Sequence, residues 1–107
     1  MKEEQRRKIE IRLLDMAGEV YQLGLNTLAV IELDNLSNAE KIKTVKGTIK
    51  QLNKIEEQLE EKDFKDFEQF KDLKESIKTV KTNLEINLGY LVEIAELEKL
   101  RDRLRAI

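Results

Sequence analysis

Carboxylates and arginines are the side chains of this 107-residue chain that could do chemistry, because histidine and cysteine are both absent. Without histidine the commonest general base and metal ligand is missing, and without cysteine the readiest nucleophile and any thiolate metal site or disulfide are missing too. The densest carboxylate run is Glu56, Glu57, Glu60 and Glu61. Magnesium needs such groups convergent and partly buried, whereas a run at the end of a solvated helix face is an ordinary helix terminus. The arginines are more distinctive. Arg6, Arg7 and Arg12 stand near the start, Arg101, Arg103 and Arg105 near the end, and lysine is the only cation between them. If both chain ends meet at one pole, six guanidinium groups could grip phosphates or an acidic partner. Neighbouring Glu3, Glu4, Glu10, Glu96, Glu98 and Asp102 offer the opposing reading of helix-surface ion pairs, each worth a few tenths of a kcal/mol.

The carboxylate run spells EExxE, which resembles the first magnesium-binding motif of the all-α nucleotide pyrophosphohydrolases of the MazG kind. The resemblance covers five residues. That family pairs EExxE with an ExxD on the next helix, and no glutamate after position 61 has an aspartate three residues later. The Glu-x-x-His pairs of ferritin-like dimetal sites cannot be built either. No catalytic residue, metal site or cofactor is therefore expected.

The elements that carry these groups are helices. Charged residues make up 39% of the chain, hydrophobic ones 40%, and proline is absent, which suits long helices with solvated outer faces in a single all-α domain over residues 1–107. A net charge of −2 gives no bulk attraction to nucleic acid or anionic lipid. The charged N-terminus lacks a signal-peptide core and no run approaches a membrane span, so a soluble, unprocessed, cytoplasmic protein without a membrane partner is expected.

From Lys2 to about Leu33, Ile9, Leu13, Met16, Val20, Leu23 and Val30 predict a first helix. Leu14, Ala17, Tyr21, Leu25, Leu28 and Ile31 widen its stripe, so that it needs more than one packing neighbour. Gly18 and Gly24 inside it read as sites of close backbone packing. Ser37 followed by Glu40 predicts a capping box opening a second helix that runs to about Glu61, with Ile42, Val45, Ile49, Leu52, Ile55 and Leu59 on one face. Asp63 is the expected cap of a third helix, after a linker of two or three residues that forces the two helices antiparallel. Phe64, Phe67 and Phe70, three apart, step around a helix and cannot share one seam; they read as a plug where the second helix turns into the third.

The third helix carries an apolar stripe at Phe70, Leu73, Ile77, Val80, Leu84, Leu88, Leu91 and Ala95, shifting to Leu97, Leu100, Leu104 and Ile107. It outruns the second helix after about Leu88, beside Gly89. Either the chain hinges there into a four-helix up-and-down bundle, or the helix stays straight and dimerises, because the stripe cannot stay exposed. The expected function is non-enzymatic protein–protein association, with itself or with a helical partner. Leu91, Ile94, Leu97, Leu100 and Leu104 are the contact residues, with Arg101 and Arg105 at the rim. The alternative is a small regulator binding nucleic acid or another polyanion through Arg6, Arg7, Arg12, Arg101, Arg103 and Arg105.

Overall fold

The computed structural model of the protein describes residues 2–60 and 64–107. Three helices account for nearly all of them: α1 (Glu3–Ile31), α2 (Asn38–Leu59) and α3 (Glu68–Arg105), with no strand among the described residues. Each helix packs on the other two, and the molecule is a rod 72 Å long and 21 by 15 Å across. No helix among the described residues is long and apolar enough to cross a membrane.

The core is one seam drawn from each helix at three-and-four spacing. Leu13, Met16 and Val20 of α1 meet Val45, Leu52, Ile55 and Leu59 of α2 and Leu73, Ile77, Leu84 and Leu91 of α3. Between α1 and α2 this apolar seam is interrupted by Thr27 and Thr48, whose hydroxyl oxygens lie 2.6 Å apart and buried. Two protons serve three short contacts there. Thr27 donates to the Leu23 carbonyl at 2.7 Å, Thr48 is 3.1 Å from the Thr44 carbonyl, and a Thr48 proton turned to Thr27 satisfies the pair internally. Gly24 is the close-approach glycine: a β-carbon there would sit 3.3 Å from Val80. Gly18 has open space on the same test, so the reading of close packing holds at one glycine and fails at the other.

Ser37 caps α2 by accepting the Glu40 backbone N–H at 3.2 Å, as the spacing predicts. Helix α3 starts later than expected. Asp63, its predicted cap, lies outside the described residues, and the N-cap position belongs to Phe67, whose side chain does not cap. Burial explains the delay: Phe64 and Phe67 are both turned into the core, held by Phe67 N–H to Phe64 carbonyl and Phe70 N–H to Phe67 carbonyl bonds of 3.1 Å. A helix begun at Phe64 would carry rings three apart around its circumference and expose one of them. The rings plug the end of the bundle, with the Arg12 guanidinium 5.2 Å over Phe64 and that of Arg6 6.0 Å over Phe67.

Beyond that turn α3 runs without interruption to Arg105. Gly89 is an interior helical residue, its backbone in register with its neighbours, and no fourth helix forms among the described residues. A single glycine costs about 1 kcal/mol of helix propensity, less than the hydrogen bonds and packing that hold the turns on either side. At 38 residues α3 is roughly 57 Å long, outreaching α1 by several turns.

Candidate functional site

Contacts fix how the helices run. Arg6 lies over Phe67 and Gly24 beside Val80, so α1 is parallel to α3. Glu60 pairs with Lys74 at 2.9 Å, and Asn38 donates to Glu98 at 2.9 Å, so α2 is antiparallel to both. α1 therefore ends about level with Asn87. From Val92 onward α3 projects with little but the start of α2 against it.

That projection is apolar. Ile94, Leu97, Leu100 and Leu104 are all exposed, Leu97 and Leu104 by 64% and 62%. Leu91, predicted with them as a contact, is a core residue at 7% exposure. The reason is the spacing: Leu91, Ile94, Leu97 and Leu100 are three apart, so each steps back about 60° around the helix. Leu91 begins the series on the bundle side, and Leu100 ends it on the opposite face, beside Glu93, Glu96 and the edge of Leu97. Ile94, Leu97 and Leu104 share a face, with Tyr90 (62% exposed) below them.

The same face leads down into a groove that the contact prediction did not include. Tyr21, Gly24, Leu25 and Leu28 of α1 line it on one side and Val80, Asn83 and Leu84 of α3 on the other. Its lower end is bordered by Ala17, Tyr21 and Val80 together with Asp72, Glu75, Ser76 and Thr79. The breadth of the α1 stripe is thus explained in part: α1 has two neighbours, and Leu14, Tyr21, Leu25 and Leu28 still face solvent. No family model, curated protein or solved structure matches this chain.

The other candidates separate rather than converge. Arg6, Arg7 and Arg12 sit by the phenylalanine plug, while Arg101, Arg103 and Arg105 occupy the far tip of α3, so the straight helix holds the two clusters at opposite ends of the 72 Å rod. The joint arginine pole required both ends at one pole, and that geometry is absent. Arg6 is 3.6 Å from Glu10, and Arg101 is 3.6 Å from Asp102. In the acidic run, Glu56 is 3.5 Å from Lys81 and Glu60 bonds Lys74, while Glu61 lies outside the described residues. The Lys74 hydrogen bond holds the Glu60 carboxyl below its ordinary range, against an opposing desolvation and with the nearby charges of Lys74 and Lys65 adding to it. Glu56 and Glu60 thus pair the C-terminal end of α2 with α3. No group of three or more metal-ligating side chains occurs among the described residues.

Proposed function

We propose that this protein acts by association rather than catalysis, binding a helix along the apolar face of α3 that runs from Tyr90 through Ile94 and Leu97 to Leu104. The observation that carries the reading is the continuation of α3 as an ordered helix beyond its own bundle, with large apolar side chains exposed along it. A compact single domain has no use for that length. Fully burying one leucine or isoleucine is worth about 1.5–3 kcal/mol, so this stripe and the adjoining α1 groove supply the free energy of a specific complex, with Arg101 and Arg105 at the rim setting partner choice.

The test is sedimentation equilibrium and far-UV circular dichroism on the wild type and on the double variant Leu97→Asp/Leu104→Asp. The wild type is expected to associate in the micromolar range and the variant to sediment as one chain with unchanged helicity. Unfolding of the variant would mean that the stripe belongs to a core, and unchanged association would mean that another surface is used. Either result contradicts the proposal.

A further inference from the structure

A second seam runs along α3, distinct from the one in the core. Val80, Asn87, Ile94 and Arg101 repeat every seven residues and alternate with Ser76, Asn83, Tyr90, Leu97 and Leu104 at steps of four and three. This is the heptad spacing that keeps one face of a helix against another helix. Its first half, Ser76, Val80 and Asn83, borders the groove shared with Tyr21, Leu25 and Leu28 of α1. Its second half is the projecting stripe. One molecule thus presents a groove open to one more helix and a helix lacking a groove, on one continuous line.

We infer, resting on the association reading above, that the occupant is a second copy of this chain with the two α3 helices antiparallel. Each copy's projection then fills the α1–α3 groove of the other. Antiparallel seams set the two heptad classes against each other. Leu97 of the second copy falls on Val80 beside Tyr21, and Ile94 of the second copy falls on Asn83 beside Leu25. Asn87 falls on Tyr90 of the second copy next to the two-fold axis, where a polar seam residue fixes register. Arg101 of the second copy meets Ser76, whose groove neighbours are Asp72 and Glu75. The two-fold axis makes every contact twice.

Charge selects this arrangement over the parallel one. The groove end of the seam is acidic and the projecting end basic, so antiparallel docking sets guanidinium against carboxylate at both ends. Parallel docking stacks Arg101 on Arg101 in the seam, and like charges so placed discriminate against a partner.

Absence of native cysteine makes the register directly readable. The variants are Asn83→Cys, Ile94→Cys and the two combined, oxidised at a concentration where the protein is associated and resolved on a non-reducing gel. Positions 83 and 94 are about 16 Å apart within one helix, too far for an internal disulfide, so a bridge joins two chains. The combined variant is expected to become a covalent dimer while each single variant stays uncrosslinked. The pair Ser76→Cys and Arg101→Cys, on exposed positions two layers further out, is expected to behave identically. Dichroism of the reduced forms checks that each is folded. Crosslinking of Ile94→Cys alone would show parallel helices, and a dimer by light scattering that neither pair crosslinks would show a different face. Both overturn this inference and leave the association reading standing. A monomer at every concentration overturns this inference and the self-association part of the reading above.

Discussion

The two halves of α3 are built from the same residues and meet opposite fates. Between Phe70 and Leu91 the residues Leu73, Ile77, Leu84 and Leu91 are buried under α1 and α2, whereas between Val92 and Leu104 the large apolar residues Ile94, Leu97, Leu100 and Leu104 face solvent. Helix formation does not distinguish them, since α3 runs as one helix through both. What differs is supply. α1 stops at Ile31, about level with Asn87, and α2 starts at Asn38, which reaches no further than Glu98, so the outer half has no α1 beside it and only the first turns of α2. The first half of the helix holds the fold together and the second is free to hold something else, which implies that the two can be disabled separately.

The largest expected effect is on the covered half. Ile77 is fully buried, and Ile77→Ala should lower unfolding free energy by about 2–5 kcal/mol in urea titrations, whereas Leu97→Ala should leave the unfolding of the dilute monomer almost unchanged. Comparable losses at both positions would erase the distinction. Next comes the buried threonine pair. Thr27→Val removes the acceptor facing Thr48 but leaves Thr48 its own Thr44 carbonyl, so a loss of about 1 kcal/mol is expected, and the double change Thr27→Val/Thr48→Val should cost less than the sum of the two. Strict additivity would show the hydroxyls do not interact.

Gly89 lies at the junction of the two halves. A β-carbon added there meets nothing within 4 Å, so Gly89→Ala should stabilise by about 0.5–1 kcal/mol and leave the solution radius unchanged. Destabilisation, or a change in radius, would show that the helix bends at this residue. The smallest effect belongs to Glu60. Its carboxyl titrates below the ordinary range because it is ionised against Lys74, so its contribution to stability is present above the unfolded-state pKa and is lost as pH falls through the lower folded value. Glu60→Gln should remove that part of the acid dependence and shift Tm slightly, both readable from thermal melts over a pH series. An identical pH profile in the variant would contradict the ion pair's role.

Much of the fold is legible in the residues, because it rests on local rules: three apolar-periodic segments, the Ser37–Glu40 start of α2 and the phenylalanine plug. Where local rules yield to burial the reading slips, as at the start of α3, which the packing of Phe64 and Phe67 displaces to Glu68. The candidate site is only half legible. Counting apolar residues joins Leu91 to Leu100 into a series that in fact winds around the helix, and passes over the straight seam because Asn83 and Asn87 are polar. Its α1 wall of Tyr21, Leu25 and Leu28 emerges only once α1 is known to run parallel to α3. The arginine pole depended on a turn at Gly89, and one glycine cannot tell a hinge from a straight helix by its spacing.

The most direct test of the central claim is the solution mass by light scattering over a concentration series, with small-angle X-ray scattering on the same samples. A straight α3 with an association face predicts a mass rising to twice 12.6 kDa, in a particle thicker than one protomer and only modestly longer than its 72 Å. A species of 12.6 kDa at every concentration, with a radius of gyration well below 18.5 Å, would contradict it, because the C-terminal stripe would then be folded back into the protein's own core.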